Sequence, residues 1–177
     1  MCSSDLNVVS TEPSITPVFG TQSGEVESKG GEIEVVARFY DRWSINGSYT
    51  YDTTDVLQSS TAAEVGSPLP TTPKNKLSLF VDYTQQTGPL GGFGGGFGGR
   101  YTGSSAGSLP GPFNPVVYVG QSSTLFDAML HYDTPEWRVA INGSNIFGRE
   151  YVARCSGPAG CTYGAGRQVI GTLTRKF

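Results

Sequence analysis

The feature that most constrains the fold of this chain is a period of two in its long segments. Over residues 137–143 the odd positions hold Trp, Val, Ile and Gly, whereas the even positions hold Arg, Ala and Asn. Similar alternation occurs over residues 43–51, 77–83, 124–132 and 168–177. Because successive side chains of a β-strand point to opposite faces, this period predicts an all-β fold.

Two more strands are predicted over residues 25–39 and 92–101. The second places Phe93, Phe97 and Tyr101 on one face and almost only glycine on the other. The result is an antiparallel meander of about seven strands, each near ten residues long, with no convincing helix. Strands of roughly 9–11 residues are long enough to cross a bilayer as part of a barrel.

The connections between the predicted strands alternate between short and long. The short ones are residues 40–42, 86–91 and 134–136, and the long ones are residues 56–72, 105–123 and 151–166. Short turns at one end and long loops at the other are typical of outer-membrane barrels. Aromatic residues at strand ends fit the girdles of such a barrel, namely Trp43, Tyr49, Tyr51, Tyr83, Tyr101, Tyr132, Trp137 and Phe177.

Composition excludes two other classes of protein. No apolar run approaches the roughly 18 residues of a membrane-spanning helix. A net charge of −3 gives no electrostatic footprint for nucleic acid. The first six residues are too short and too polar for a signal peptide, so we expect any export signal upstream and the chain to be part of a longer protein.

The tetrapeptide Ile-Asn-Gly-Ser occurs at residues 45–48 and 141–144. Asn-Gly favours a hairpin turn. Alternation continues through the glycine in both copies, so we interpret both as strand interior, with a hairpin as the alternative.

Few residues carry chemistry. His131 is the only histidine and has no cluster of metal ligands around it in sequence, so a polar wall residue is the favoured interpretation. The glycine-rich residues 88–99 lack the Lys-Ser/Thr of a phosphate loop, and their glycines are expected to leave room for a plug. No nucleophile, base and orienting group can be assembled, so an enzyme is not expected. Four charges on the predicted inner face are wall or transport-path candidates: Asp82, Arg100, Asp127 and Arg138.

Six segments in order resemble the C-terminal part of a TonB-dependent siderophore receptor of the ferrichrome or hydroxamate type. They are SGEVESKGGEIEV, PKNKLSLFVDY, GGRYTGSS, TLFDAMLHYD, INGSNIFGREYVARC and CTYGAGRQV. The extra glycine in the first segment departs from the family spacing and predicts a bulge or slip near Gly31.

The resemblance implies an outer-membrane barrel of about 22 strands with a plugged lumen. Residues 7–177 are then its C-terminal portion, residues 1–6 a doubtful or non-native leader, and the plug domain is absent. The implied partners are a ferric siderophore, outer-membrane lipid, the barrel-assembly machinery, and the TonB complex through the missing N-terminal region. Iron would be held by the siderophore, so no cofactor or metal ligand is expected.

The resemblance also implies roles for individual residues. Cys155 and Cys161 correspond to a disulfide at the tip of the last extracellular loop; a redox or metal pair is the alternative. Phe177 corresponds to the terminal aromatic read during barrel assembly. Position in the loops makes Tyr163, then Tyr151 and Phe113, the candidates for ligand contact. Cys2 is left without a partner.

Two other functions stay open at this point. One is a passive or structural outer-membrane barrel without energised transport. The other is a soluble eight-stranded ligand-binding barrel. The upstream reading frame distinguishes them, since a plug and a TonB-binding segment support the receptor.

Overall fold

The computed structural model describes residues 2–11, 20–111, 116–155 and 160–176, with side chains from residue 24 onwards. These residues form twelve strands: β1 (Cys2–Thr11), β2 (Gly20–Phe39), β3 (Trp43–Gln58), β4 (Asn75–Thr84), β5 (Phe93–Thr102), β6 (Ser105–Ala106), β7 (Val119–Gly120), β8 (Ser123–Asp133), β9 (Trp137–Ser144), β10 (Val152–Cys155), β11 (Cys161–Tyr163) and β12 (Gln168–Arg175). Within this described part, the only helical element is a single 3-10 turn, Ala62–Glu64. No described helix is long and apolar enough to cross a membrane.

Eight of the strands form one sheet in the order β1-β2-β3-β4-β5-β8-β9-β12. Every neighbouring pair is antiparallel, so the predicted all-β meander is confirmed. The seven predicted strands are all present, and β1 is an eighth that pairs with β2. Among the described residues, the edges of the sheet are therefore β1 and β12.

The register keeps one set of alternate residues on the same face from β2 to β12. Across one row, Trp43 faces Tyr83 and Tyr83 faces Gly95. The row continues through Leu130 to Ile141. Both Ile-Asn-Gly-Ser segments lie inside strands, in β3 and at the end of β9, as predicted.

The predicted bulge or slip near Gly31 is wrong. Pairing between β2 and β3 is continuous from Val26 to Phe39, and the register shift lies between Glu25 and Val26. β3 also continues to Gln58, well past the predicted end of the strand. In the loop after β3, the amide of Gly66 donates to the carbonyl of Val56, and the amide of Val56 donates to the carbonyl of Ser67. These bonds support the part of β3 that extends past the beginning of β4.

The short turn between β2 and β3 shows how two unusual residues close a hairpin. Tyr40 and Asp41 both have positive φ, 51° and 53°. The amide of Arg42 donates to the carbonyl of Phe39 at 3.1 Å. Two positive φ angles in a row are the type I′ pattern, whose twist matches that of the flanking strands.

The sheet has almost no apolar interior. Among the residues whose side chains the structure describes, the buried hydrophobic ones are Val26, Val56, Ala106, Leu125 and Ala140. Large apolar side chains on the alternate face are instead exposed, as at Val139 with 45% of its surface accessible. A soluble domain rarely leaves so continuous an apolar face open, so this face requires an apolar environment.

Candidate functional site

The exposed apolar face, here called the outer face, covers the strands from β2 to β12. It carries Ile33, Val35, Trp43, Tyr49, Leu77, Leu79, Phe97, Tyr101, Leu130, Tyr132, Trp137, Val139, Ile141 and Leu173. A groove of about 950 Å³ on this face lies over Gly95 and Gly99 and is lined mostly by apolar side chains. Aromatic contacts stand near the short turns, with the rings of Trp43 and Tyr83 4.7 Å apart and Arg175 5.5 Å from the ring of Trp137.

The opposite, inner face carries the charges that the sequence placed there. Arg100 on β5 and Asp127 on β8 form a two-point ion pair, with nitrogen–oxygen distances of 2.6 and 3.0 Å. A fork of this kind fixes both side chains relative to the wall. Arg100 lies two residues from the end of β5 at Thr102, and Asp127 lies four residues from the start of β8 at Ser123, so the pair is in the half of the wall nearer the long loops.

His131 is the centre of a second polar cluster on the inner face. Its ring is buried, and Nδ1 lies 2.9 Å from Asp133 while Nε2 lies 3.2 Å from Asp82. Arg138 donates to Asp133 at 3.0 Å, and the Lys176 ammonium lies 3.2 Å from the same carboxylate. The cluster joins β4, β8, β9 and the end of β12 near the short turns.

This cluster depends on the glycines of β5. A Cβ on Gly94 would lie 2.4 Å from the ring of His131, and one on Gly96 would lie 2.4 Å from the ring of Phe80. The missing side chain at Gly94 therefore lets His131 reach across β5 to Asp82. The prediction that these glycines leave room for a plug needs correction, because neighbouring rings of the wall itself occupy that space.

No group of three or more His, Cys, Asp or Glu among the described residues could hold a metal ion. Of the two carboxylates beside His131, Asp133 is already balanced by Arg138 and Lys176. The described part of the inner face thus provides a hydrogen-bonded wall.

The long loops end in two small hairpins at the same end of the sheet. One is β6–β7, and the other is β10–β11, where Cys155 and Cys161 are joined by a disulfide. A Cβ on Gly107 would collide with the carbonyl of Cys155, so the two loops touch closely. Outer-membrane barrels have short periplasmic turns and long extracellular loops, so the end with the long loops is here called the mouth.

The two described candidates for ligand contact, Tyr163 and Tyr151, differ in how exposed they are. Tyr163 is on β11 and is 73% exposed. Tyr151 is partly buried, and a Cβ on Gly164 would overlap its ring. Phe113 and Phe177 lie outside the described residues, so their predicted roles stay predictions. The structure places Tyr151 and Tyr163 on the same loop.

Tyr151 lines two small cavities at the mouth. One, of about 290 Å³, is also lined by Lys76, Thr102 and Ser123 of the inner wall. The other, of about 300 Å³, is also lined by Arg149 and Cys155. The two cavities share Gly120, Gln121 and Val152 as well as Tyr151.

Sequence reasoning missed several residues of these sites. Asp133 lies two residues from His131 and so shares its face, which the period of two could have shown. Asn145 has a φ of 49° and is buried. Its position directly after a strand is the only feature of the sequence that pointed to a special backbone conformation there. Alternation along the last strand puts Lys176 on the inner face. It does not show that Lys176 binds Asp133, because the two residues are 43 positions apart in sequence.

An apolar outer face, a polar inner face and long loops confined to one end define part of the wall of a transmembrane β-barrel. The chain belongs to the TonB-dependent receptor-like β-barrel family, whose model matches residues 4–146. Barrels of this family are integral proteins of the outer membrane, and the resemblance found in the six segments is thereby confirmed.

Among curated relatives, the chain is 40% identical over 164 residues to the ferrichrome outer membrane transporter/phage receptor of Escherichia coli K12. This match covers 90% of the chain and 21% of the relative. The ferrioxamine B receptor of Salmonella typhimurium SL1344 is 31% identical over 162 residues, or 87% of the chain and 22% of the relative. The chain thus spans about a fifth of the length of these receptors, and neither is an enzyme.

Solved structures show the same fold. The closed form of the ferric-catecholate import receptor Fiu from Escherichia coli K12 matches with a TM-score of 0.73 and 23% identity, over 97% of this chain and 24% of Fiu. Pseudomonas aeruginosa FpvA bound to a heterologous pyoverdine matches with a TM-score of 0.72 and 21% identity, over 94% of this chain and 22% of FpvA.

Proposed function

We propose that this chain forms part of the wall and mouth of a receptor that takes up ferric siderophores of the hydroxamate type across the outer membrane. The observation that carries the proposal is the mouth, where Tyr151 borders two cavities beside the disulfide hairpin. The similarity to a ferrichrome transporter and a ferrioxamine B receptor supports the ligand class.

The side chains at the mouth suit a chelate with an organic shell. Tyr163 and Tyr151 offer flat surfaces that are apolar on the ring and polar at the hydroxyl. Phe113, in the loop between β6 and β7, is the third contact that we propose. Iron stays inside the siderophore as cargo, so the wall needs no metal ligands of its own.

The remaining partners belong to the whole receptor. Energised transport would require the TonB complex, which we propose to act through the N-terminal region and plug of the whole receptor. Phe177 would serve the barrel-assembly machinery, and the outer face would contact outer-membrane lipid. Residues 7–177 would be the barrel portion. The proposed leader includes Cys2, which the structure places in β1 together with residues 3–6.

The proposal can be tested with the purified full-length receptor that contains this segment. Titration with ferrichrome and with ferrioxamine B, followed by intrinsic tryptophan fluorescence, should show saturable binding of at least one. Ferric enterobactin, a catecholate, is the control and should bind at least tenfold more weakly, a difference of about 1.4 kcal/mol. Equal binding of all three, or binding of none, would contradict the hydroxamate assignment.

A further inference from the structure

The last mouth loop, residues 145–167, carries the disulfide hairpin and begins at a buried asparagine. Asn145 directly follows β9 and is only 2% exposed. Its φ of 49° lies in the left-handed region, which asparagine tolerates better than most side chains. A buried polar residue in this conformation needs its hydrogen bonds satisfied from within the protein.

The Asn145 side chain binds both ends of the loop. Its Nδ2 donates to the carbonyl of Arg149 at 2.8 Å and to the carbonyl of Ala165 at 3.3 Å. Its Oδ1 accepts from the amide of Arg149 at 2.9 Å. One amide group therefore joins the rising and the returning chain of the loop at its base.

The backbone of Asn145 connects this junction to the wall. Its amide donates to Oδ1 of Asp127 at 3.0 Å. The carboxylate of Asp127 is itself held by the guanidinium of Arg100. The base of the loop is thus fixed to β8 directly and to β5 through the ion pair.

The same junction determines where Tyr151 stands. Tyr151 follows Arg149 by two residues, and its carbonyl accepts from the amide of Gly164 at 2.9 Å. Gly164 immediately precedes Ala165, and only a glycine leaves room for the ring of Tyr151 there. The position of the ring at the mouth therefore depends on the same short stretch that Asn145 closes.

We infer that Asn145 is a positioning residue for ligand capture, acting through the loop and Tyr151 without touching the ligand. This inference rests on the proposed function. Without the Asn145 side chain, the loop base loses its cross-link. The loop must then be ordered when the siderophore binds, which lowers affinity. Transport after capture does not involve this junction and keeps its rate.

The test uses Asn145→Gly in the full-length receptor, because glycine keeps the positive φ and removes only the side chain. Ser144→Ala, one residue earlier, is the matched control. In cells given radioiron-labelled ferrichrome, Asn145→Gly should raise the half-saturating concentration by about three- to tenfold, as expected when buried hydrogen bonds no longer restrict a loop. The number of binding sites per cell and the maximal uptake rate should match those of the wild type.

A second readout needs no ligand. Hydrogen exchange of the purified receptor should become faster over residues 149–165 in Asn145→Gly and should stay unchanged in Ser144→Ala. If Asn145→Gly does not reach the membrane, Asn145→Asp replaces it. Aspartate keeps the acceptor for the Arg149 amide and loses both donations to carbonyls, so the same changes are expected.

The role of Asn145 would be overturned if Asn145→Gly left the affinity for the siderophore or the hydrogen exchange of the loop unchanged. It would also be overturned if the variant reduced the number of binding sites without changing affinity, because that result would show a purely structural effect. Failure of the wild-type receptor to bind ferrichrome or ferrioxamine B would instead contradict the proposed function. The exchange measurement then still decides whether Asn145 orders the loop.

Discussion

At the scale of single residues, the wall depends on where side chains are missing. Gly94 shows this most clearly, because His131 crosses β5 above it to reach Asp82. A side chain at position 94 would separate this ring from its partner on β4.

Gly94→Ala should therefore lower the free energy of unfolding of the full receptor by about 1–3 kcal/mol, the usual cost of overpacking a filled site. Gly171→Ala is the matched control, because nothing lies within 4 Å of a Cβ at that position. Its effect should stay within about 0.5 kcal/mol. Urea unfolding in phospholipid vesicles measures both. Equal effects would mean that the space above Gly94 is not filled as described.

Such contacts could be anticipated only in part from sequence. The period of two correctly put Asp82, Asp127 and Arg138 on one face, because that period is a property of each strand alone. The bond between His131 and Asp82 joins strands separated by a third, so it depends on register and on the gap at Gly94. The hydrogen bonds of Asn145 depend on a loop that folds back from Ala165, which no local pattern encodes.

At the scale of elements, register decides which residues meet lipid. β9 and β12 are paired without a shift, and Val139 faces Leu173 on the outer face while Ala140 faces Thr172 on the inner face. A slip by one residue would exchange the two faces along the whole strand. The alternation was evident in the sequence, whereas the polar β1 was missed because its strand form comes from pairing with β2.

Val139→Arg in the full receptor should cost about 2–4 kcal/mol of folding free energy if the residue lies near the bilayer midplane. Thr172→Arg, on the neighbouring strand but the inner face, should cost clearly less because the charge avoids hydrocarbon. Unfolding in vesicles compares the two variants. A larger loss for Thr172→Arg would show that the faces have been assigned the wrong way round.

The disulfide hairpin β10–β11 is predicted to be extracellular and oxidised. On intact cells, a membrane-impermeant thiol reagent should label Cys155 and Cys161 only after reduction, as followed by mass spectrometry of their peptide. Replacing both by serine should leave the amount of assembled receptor unchanged and weaken siderophore binding modestly, because the loop gains conformational freedom. Labelling without reductant, or only after the outer membrane is breached, would contradict this placement.

At the scale of the whole molecule, the described residues form an open sheet of eight strands, and its edge strands, β1 and β12, do not pair with each other. Within a complete barrel each edge strand would have a further neighbour. The outer face requires an apolar environment, and the two edge strands are open to further pairing. The stability of the chain should therefore depend on the rest of the receptor.

The isolated chain in detergent should accordingly self-associate, since unpaired strand edges are templates for further pairing. Light scattering during size-exclusion chromatography provides the measurement, with circular dichroism to follow strand content. The full-length receptor under the same conditions is the control and should be monodisperse. A monodisperse monomer of the isolated chain with full strand content would contradict the wall-segment account.

The central claim is that this wall belongs to a transporter that takes up ferric hydroxamate siderophores with energy supplied through TonB. The most direct measurement is uptake of radioiron-labelled ferrichrome and ferrioxamine B by cells that lack their own hydroxamate receptors and express the full-length gene. The account predicts saturable uptake of at least one, abolished when TonB is deleted, with surface binding retained. Uptake that is unsaturable and unaffected by loss of TonB would indicate a passive pore and contradict the account.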